Sequence, residues 1–536
     1  MNKWFKLLVV ICIVAVAASC SGNATPTTVS EPTVAEKEVA TETSAEEAPA
    51  EEATSPESEA VSANEIVVAV DGDFLSMDPS QSTNATDRHL YFNVYDGLLR
   101  LGQEGELIGG LAETWEVSDD GTEYTFYLRQ GVKFHDGADF NAEVAKWNIE
   151  RSMRETASQA SSLAEVSTVD ALDDYTLKIT LSEPAPFLWK MAERPGLMIS
   201  PNAADETGEL KDEVAIGTGP FVFVEWMRDD HLTLVKNEAY WEEGKPYIDK
   251  VTFRPIPDSN VRVLELKAGN VQLIEKVPPQ EFETLDATDG ITAIQKAGLG
   301  YAYVWLNGEK APFDKLEVRQ AMAYAIDREL VSELATFGTG LPGISPIPPS
   351  SWAFNPDYKG FSYDPEKAKE LLAEAGLPDG FSFQYIIPPW EEFISSAQVM
   401  QQQWAEVGIQ AEIVQIELNS LLDKMFNKDY QALYIDFSGR VDPDPNLYVH
   451  TGCEGGENWS GVCNEEADKL MLEARSTIDE AVRKDLYFEA VPLVVEQQVS
   501  QLYIAYFGNL IGHTDSVDFV YYPDARFRLY DVKINN

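Results

Sequence analysis

The fold is decided by residues 215–258, AIGTGPFVFVEWMRDDHLTLVKNEAYWEEGKPYIDKVTFRPIPD, whose pattern begins with a turn and a β-strand. Gly217 and Gly219 tolerate positive φ and Pro220 fixes φ, so this group predicts the turn. Directly after it, residues 221–226 alternate with a period of two and carry apolar side chains on both faces. This pattern is typical of a strand that is covered on both sides.

A predicted hairpin turn at 228–230 leads into two further strands, around 232–234 and 251–253. The order GTGPF, NEAYW and GKPYIDKVTFRPIPD resembles the family-5 extracytoplasmic solute-binding proteins of ABC importers, the peptide- and nickel-binding group. Further strings extend the resemblance: SMDP (76–79), YDGLLR (95–100), LAETWEVSDDGTEYTFYLRQGVKFHDG (111–137), VRQAMAYAIDRE (318–329), YDPEKAKELLAEAG (363–376) and DFSGRVDPDPN (436–446). The resemblance therefore covers nearly all of the chain after residue 65.

The resemblance implies an α/β fold of the periplasmic-binding-protein type, with two lobes around a hinge and an extra subdomain on the first lobe. At 536 residues the chain exceeds what one hydrophobic core usually supports, which agrees with more than one lobe. The expected division is lobe I over 65–306 and 505–536, its subdomain over 111–214, and lobe II over 307–504. Residues 301–307 and 502–507 are apolar, and we expect them to be the strands that cross between the lobes.

Strand and helix patterns alternate in the second half of the chain. Strands are predicted over 381–387, 409–416 and 431–437. A helix pattern separates each strand from the next, which favours a mainly parallel sheet with helices on both faces. One helix is predicted over 314–330, with Asp314 and Glu317 placed as in a capping box.

The N-terminus carries an export signal. Lys3 and Lys6 precede an apolar run over 7–18 that is too short to span a bilayer comfortably. We therefore interpret residues 1–19 as a signal peptide. The sequence Ala-Ala-Ser-Cys that ends at Cys20 resembles a bacterial lipobox, which implies that Cys20 bears the lipid; the alternative is an ordinary cleavage site with an incidental cysteine.

An acidic segment separates the signal from the rest of the chain. Residues 21–64 hold ten acidic residues, one Lys and no aromatic residue. Such a composition cannot bury enough apolar surface to offset the entropy of ordering, so 20–64 is predicted to be a disordered tether. The chain carries a net charge of −50, of which about −43 lies beyond the tether. This charge excludes nucleic acid as a partner, and solubility outside the cell accounts for it better than a metal trap does.

Two cysteines remain after the tether, Cys453 and Cys463. They lie ten residues apart in a glycine-rich loop, and in an oxidising compartment they are expected to form a disulfide that contributes about 3 kcal/mol. A CxxC spacing and a nearby pair of histidines are both missing from the sequence, so we expect no zinc or other metal site.

The parallel sheet predicts the place of the ligand site, because ligands bind beyond the carboxyl ends of strands in open α/β sheets. The loop after the strand 431–437 contains Arg440, Asp442 and Asp444, and two prolines stiffen it. We expect Arg440 to bind an anionic group of the solute, while Asp442 or Asp444 takes a cationic one. Peptide-binding relatives often bind the ligand's amino terminus with a carboxylate in this loop. The alternative is that Arg440 forms a salt bridge with one of these two aspartates and only closes the loop.

Three aromatic residues complete the predicted ligand site. Trp390 follows the strand 381–387, and Tyr434 lies on the strand before the Arg440 loop. Phe74 lies in the first loop of the chain, which in the resembled family borders the ligand cleft. The pair His135 and Asp136 belongs to a segment that is a structural turn in that family, so we expect no catalytic role for it.

The function predicted from the resemblance is capture of oligopeptides or similar small solutes between two lobes and delivery to an ABC importer. The expected partners are the solute, the permease subunits and, through the lipid anchor, the membrane; the protein is expected to be an extracytoplasmic, periplasmic or cell-surface monomer without cofactors. The alternative from another class is a secreted carboxylate-dependent hydrolase. The sequence contains no nucleophile elbow, HExxH or phosphate-loop motif, so we expect no enzyme. Nickel, haem, oligosaccharide and opine-like solutes remain open, although five unpaired histidines favour peptide over nickel or haem.

Overall fold

The computed structural model describes residues 64–82, 84–211 and 214–535, apart from a few side chains within helices. These residues all belong to one compact unit. The predicted signal peptide, Cys20 and the tether up to residue 63 lie outside the described residues. The last residue of the predicted tether, Asn64, donates a side-chain hydrogen bond to the carbonyl oxygen of Tyr247 (3.0 Å).

The strands and helices occur in the following order along the chain. The strands are β1 (Glu65–Val70), β2 (Leu99–Leu101), β3 (Leu107–Gly109), β4 (Ala112–Val117), β5 (Glu123–Leu128), β6 (Val166–Asp173), β7 (Thr176–Leu181), β8 (Phe221–Met227), β9 (His231–Lys236), β10 (Lys250–Pro255), β11 (Leu273–Ile274), β12 (Ile291–Leu306), β13 (Leu341–Pro342), β14 (Phe381–Ile387), β15 (Ile409–Gln415), β16 (Ala432–Phe437), β17 (Gln501–Thr514), β18 (Val517–Asp518) and β19 (Lys533–Ile534). The α-helices are α1 (Asp87–Val94), α2 (Ala142–Ser152), α3 (Phe187–Met191), α4 (Ser259–Lys267), α5 (Pro279–Asp286), α6 (Leu316–Tyr324), α7 (Arg328–Thr336), α8 (Pro365–Glu374), α9 (Glu391–Glu406), α10 (Leu418–Phe426), α11 (Pro443–Thr451), α12 (Glu465–Ser476) and α13 (Glu480–Pro492).

One large sheet runs through the molecule in the order β15-β14-β16-β12-β17-β11-β1-β10-β9-β8, with β13 paired to β17. The parallel pairing predicted from the strands 381–387, 409–416 and 431–437 is confirmed, since β14 pairs in parallel with both β15 and β16, but the large sheet as a whole is not mainly parallel. Parallel pairing is confined to β14 with β15 and β16, and to β1 with β10 and β11. The central strands β12 and β17 are antiparallel because one carries the chain from the first half of the sheet to the second and the other carries it back.

The two halves of the sheet form the cores of two lobes. In lobe I, β1 and β8–β11 pack against α1 and the C-terminal segment, with a second core around α4 and α5. In lobe II, alternate residues of β12 enter two cores on opposite faces of the sheet: Ala302 and Val304 enter one, and Tyr303 and Trp305 the other. The predicted fold class, an α/β fold of two lobes with a subdomain on the first, is confirmed.

The crossing between the lobes is marked by an interruption in the pairing of β12 with β17. Residues 291–297 pair with 508–514, and residues 301–305 pair with 501–506, with a register shift between these ladders. Since 301–306 pack in the cores of lobe II, we propose that the lobes divide near 298–300 and 507–509. The boundaries at 306 and 505 that the sequence suggested remain a prediction.

The subdomain of lobe I is a four-stranded antiparallel sheet in the order β4-β5-β7-β6. Helix α2 packs on it and starts at the predicted cap, since the side chain of Asn141 accepts a hydrogen bond from the main-chain nitrogen of Val144 (3.0 Å). His135 and Asp136 have structural contacts: His135 Nε2 lies 3.0 Å from the carbonyl oxygen of Gly219, and Asp136 accepts a hydrogen bond from Ser200 Oγ (2.7 Å).

Strand β8 and the glycines before it differ from the prediction. Because β8 is the last strand of the large sheet, Val224 is 50% exposed, and the expectation of a strand covered on both sides is wrong. Gly217 and Gly219 have no positive φ. A Cβ on either residue would overlap main-chain atoms of Val94, so close packing against the end of α1 requires glycine there.

The helix predicted over 314–330 is two helices. The first, α6, has Lys315 as its N-cap with no side-chain cap, so the predicted capping box of Asp314 and Glu317 does not form. Asp327 caps α7 by accepting a hydrogen bond from the main-chain nitrogen of Leu330 (3.1 Å). The continuous apolar periodicity conceals this break because both helices bury the same kind of face.

A disulfide joins Cys453 to Cys463, whose Cα atoms lie 5.0 Å apart, so the predicted pairing is present in the structure. Within the described ranges, no helix is long and apolar enough to span a membrane. The same residues contain no group of three or more His, Cys, Asp or Glu side chains that could hold a metal ion.

Candidate functional site

A cavity of about 1170 Å³ lies where the two lobes meet at the crossing strands. Lobe I lines it with Arg88 and the segments 193–194, 275–280 and 523–526; lobe II lines it with the end of α7 and residues 436–441; β12 and β17 contribute 298–300 and 507–511. A solute in this cleft therefore contacts both lobes at once. The loop after β16, which the sequence singled out, forms part of the wall.

Gly439 and Asn446 fix the position of this loop. Gly439 has φ +67°, and a Cβ there would overlap the carbonyl oxygen of Leu299 on β12. The side chain of Asn446 bonds the main chain of Arg440 twice, accepting from its nitrogen (3.0 Å) and donating to its carbonyl oxygen (3.2 Å). The loop is thus held against the crossing strand, and Arg440 is directed toward the cleft.

The guanidinium of Arg440 lies over the ring of Phe437, 5.0 Å from its centroid, and both residues line the cleft. It donates to Ser438 Oγ (3.0 Å) and to the carbonyl oxygen of Gly439 (2.8 Å). Burial and the positive charge of Arg88 lower the pKa of Arg440. The structure shows no ion pair between Arg440 and either aspartate of the loop, which contradicts the alternative of a loop-closing salt bridge.

Asp442 does not line the cleft. It is 5% exposed, and its two carboxylate oxygens accept hydrogen bonds from the guanidinium of Arg483 (2.9 and 3.1 Å). It also caps α11 by accepting from the main-chain nitrogen of Asp444 (2.9 Å). The prediction that Asp442 binds the solute is therefore wrong, because Arg483 and the helix end occupy its carboxylate.

Asp444 is likewise a structural residue, 3% exposed and 3.0 Å from Arg475. The contact is close but is not aligned as a hydrogen bond, since Asp444 Oδ1 and Arg475 Nε have no hydrogen-bond partner among the described residues. Burial therefore outweighs the attraction of Arg475 and raises the pKa of Asp444 to about 6. This aspartate does not line the cleft either, so its predicted role as a ligand for a cationic group is also wrong.

The three predicted aromatic residues lie away from the cleft. Tyr434 is buried in a core of lobe II, where its hydroxyl accepts a hydrogen bond from Ser396 (3.0 Å). Phe74 is fully buried in the core of lobe I against Phe253. Trp390, 37% exposed, precedes α9 and packs against Phe393 outside the residues that line the cavity. These predictions are corrected: apolar character placed the first two residues in cores rather than at the ligand.

Four arginines that the sequence did not indicate line the cleft with Arg440: Arg262, which donates to carbonyl oxygens of its own lobe, and a cluster of Arg88, Arg194 and Arg526. The pKa of Arg194 is lowered to about 10 by burial and by the charge of Arg88, and burial and Arg88 also lower the pKa of Arg526. Except for the pair Arg440 and Arg526, any two of Arg440 and the three clustered arginines lie more than a hundred residues apart in the sequence. No motif links them, so only the fold could reveal the cluster.

The arginine cluster has few acceptors within the protein. Arg88 lies 3.9 Å from Glu193, and Arg194 donates to the carbonyl oxygen of Ser82. The Nε atoms of Arg88 and Arg526 are buried and have no hydrogen-bond partner among the described residues. Donors of this kind are matched by a carboxylate, whose two oxygens fit the guanidinium fork.

Comparison with known proteins agrees with this geometry. Residues 106–458 match the model of the family described as Bacterial extracellular solute-binding proteins, family 5 Middle. The chain belongs to this family. It is 31% identical over 508 residues to the glutathione-binding protein GsiB of Escherichia coli (strain K12), covering 89% of this chain and 95% of GsiB.

Solved structures of the same fold include two with 28% sequence identity to this chain. HbpA2 from Haemophilus parasuis superposes with a TM-score of 0.81 over 88% of this chain and 100% of its own. The ABC transporter-associated periplasmic binding protein DppA from Helicobacter pylori, in complex with the peptide STSA, superposes with a TM-score of 0.73 over 88% and 98%. The family resemblance predicted from the sequence is therefore confirmed.

The first prediction concerns Gly439. Gly439→Ala should lower both the melting temperature and the affinity for solute, since the new Cβ meets the main chain of Leu299 and displaces the loop that carries Arg440. Gly376→Ala is the matched control: its φ is +78° and a Cβ there meets nothing within 4 Å, so it costs only the left-handed strain, about 1 kcal/mol. Equal melting temperatures for the two variants would contradict this role of Gly439.

The second prediction concerns pH. The folded protein binds the Asp444 proton more tightly than the unfolded chain, so the stability from this group is full below pH 4 and is lost as pH rises from about 4 to about 6. Compared with Asp444→Asn, the wild type should lose about 3 kcal/mol of unfolding free energy across this range. Urea unfolding of both proteins from pH 4 to 7 measures the difference; parallel curves mean that Asp444 is ionised throughout.

Proposed function

We propose that this protein captures a peptide or a closely related small solute in the cleft, closes its lobes on it and delivers it to the permease of an ABC importer. The observation that carries the proposal is a cavity lined by both lobes, with Arg440 held in its wall by a fixed loop. A ligand that contacts both lobes stabilises the closed arrangement, which is the basis of hinge closure in binding proteins. Such capture requires no chemistry on the solute.

The relatives support a peptide-like solute over the other classes. GsiB is named as a glutathione-binding protein, and DppA was solved with a bound peptide. Both names describe binding without catalysis, which favours a binding protein over a secreted carboxylate-dependent hydrolase. Nickel, haem and oligosaccharide solutes have no comparable support from the relatives described above.

Within the cleft, we assign the solute's carboxylate to Arg440. A guanidinium binds a carboxylate through two parallel hydrogen bonds, and the ring of Phe437 below it restricts its orientation. Because Asp442 and Asp444 pair with other arginines, we assign a cationic group of the solute to an acidic residue that does line the cleft, Glu193, which lies 3.9 Å from Arg88.

The third prediction tests this assignment. Mass spectrometry of the purified protein should identify an intact co-purified solute, and calorimetric titration then measures its affinity. Arg440→Ala should weaken binding by about ten- to a hundred-fold, because a hydrogen bond to a charged group contributes roughly 1.5–3 kcal/mol. Arg254→Ala, which removes a guanidinium from a surface pair with Glu265 outside the cleft lining, should bind as the wild type does. Unchanged affinity of Arg440→Ala, or a turned-over solute, would contradict the proposal.

We also propose that the mature protein is held at the membrane by a lipid on Cys20, with the acidic segment 20–64 as a spacer. The support is the order of basic, apolar and small residues before Cys20 and the net charge of −9 in residues 21–64, which extends a disordered chain by self-repulsion.

The fourth prediction is that cells fed a clickable fatty acid label the wild-type protein and not Cys20→Ala, which should appear in the soluble fraction. The double variant Cys453→Ser and Cys463→Ser is the control. Those two cysteines form the disulfide, so their replacement should leave the labelling unchanged. Equal labelling of Cys20→Ala and the wild type would contradict a lipid anchor at this residue.

A further inference from the structure

The cleft gathers four arginines from four separate parts of the chain. Arg88 lies on α1, Arg194 follows α3, Arg526 lies in the C-terminal segment of lobe I, and Arg440 comes from lobe II. In a chain with a net charge of −50, a local excess of positive charge shared by both lobes is contrary to the rest of the molecule. A ligand with negative charge would account for this excess.

The other charged residues of the cleft largely balance one another. Lys276 pairs with Asp71, and the two oxygens of Asp524 accept from Arg528 (2.7 and 2.8 Å). Glu275 lies 3.1 Å from His89 Nε2 and also accepts the main-chain N–H of Asp71 (3.0 Å).

Arg262, which lies against Glu275, donates to carbonyl oxygens of its own lobe, among them that of Ile256 (2.6 Å). With these groups accounted for, the lining retains the four arginines and, beside them, Glu193, which lies 3.9 Å from Arg88. The arginines of the lining therefore outnumber the carboxylate beside them, whereas a zwitterionic peptide with one carboxylate and one ammonium group adds no net charge.

Lobe closure has an electrostatic cost in this arrangement. Arg440 belongs to lobe II, and Arg88, Arg194 and Arg526 belong to lobe I, so closing the cleft brings like charges together in a site of reduced water access. The charges already act on one another, since Arg88 lowers the pKa of each of the other three arginines. One carboxylate on Arg440 neutralises the arginine of lobe II, but closure still removes water from the three arginines of lobe I, and the Nε atoms of Arg88 and Arg526 have no hydrogen-bond partner among the described residues.

We propose that the solute carries at least two carboxylates, one bound by Arg440 of lobe II and the other by the lobe I arginines, and that the second carboxylate is required for tight closure. The chemical class is an acidic peptide or an amide of comparable size with two carboxylates and an amino group; the amino group lies against Glu193. This inference rests on the proposed function and specifies its substrate class.

The fifth prediction compares matched probes by calorimetric titration of the full-length mature protein after removal of any co-purified solute. The probes are the tripeptide Ala-Glu-Ala against Ala-Gln-Ala, and glutathione against its glycine monoethyl ester. Each pair differs by one carboxylate and hardly in size. The dicarboxylate of each pair should bind about ten- to a hundred-fold more tightly, as expected for one charge-assisted hydrogen-bonded pair, and its advantage should shrink as salt is raised.

Two variants locate the effect. Arg88→Gln and Arg526→Gln should each reduce the preference for the dicarboxylate probe, measured in the same variant as the ratio of its affinity to that of Ala-Gln-Ala, because the second carboxylate loses a guanidinium partner. Arg254→Gln outside the cleft should keep the full preference. Thermal unfolding of each variant confirms that it is folded, and two independent cleft variants keep the test decisive if one of them is not.

The outcomes separate this inference from the proposed function. Equal affinities of the wild type for both members of each pair overturn the inference and leave peptide capture intact. An unchanged preference in both Arg88→Gln and Arg526→Gln also overturns it. If none of the four probes binds and no peptide co-purifies, the proposed function falls together with the inference.

Discussion

The structure depends on the pairing of β12 with β17, the two strands that pass from one lobe to the other. Each half of this ladder is built into the core of a different lobe, so the two strands join the lobes to each other. The interruption at 298–300 separates the half in lobe I from the half in lobe II. The same interruption forms the floor of the cleft, and Leu299 within it sets the position of Gly439. A single constraint thus locates the division of the lobes, the cavity and the loop that carries Arg440.

Charge is used in two different ways within a few residues of this loop. Asp442 and Asp444 are buried under arginines of α13 and α12, where they tie the loop and the start of α11 to the body of lobe II. Removing a partner from such a buried pair is costly, because the remaining charge is left without compensation. Arg440 differs because its side chain contacts only neutral groups of its own loop and the face of Phe437. The aspartates hold the loop in place, and the arginine lines the cleft.

The arginine cluster gives the cleft a specificity that apolar lining alone does not supply. The crossing strands and the Arg440 loop provide a preformed site, which lowers the ordering cost of binding. The guanidinium groups are contributed by both lobes, so like charges meet across the cleft when it closes. Under the proposal, an anionic solute compensates this repulsion, and binding of the solute and closure of the lobes are one physical event.

Much of the fold was predictable from the sequence because it depends on local patterns and on family strings. The strands β10, β14 and β16 and the disulfide partners were all predicted in place. Prediction failed where the structure of a strand depends on the strands next to it in the sheet. The edge position of β8 is invisible in its own alternation, and the direction of β12 and β17 follows from the path of the whole chain.

The sequence by itself determined the family, the two-lobed α/β fold, the acidic character of the chain, and the position of the loop around Arg440 after a strand of the sheet. Only the tertiary structure decided which charges of that loop face the cleft, because a carboxylate is available to a solute only if no arginine from a distant helix reaches it first. Only the tertiary structure likewise showed that Arg88, Arg194 and Arg526 line the cleft, because they are far apart in the chain and belong to no common motif. Their common location is a property of the folded chain alone, since electrostatic forces act through space and not along the sequence.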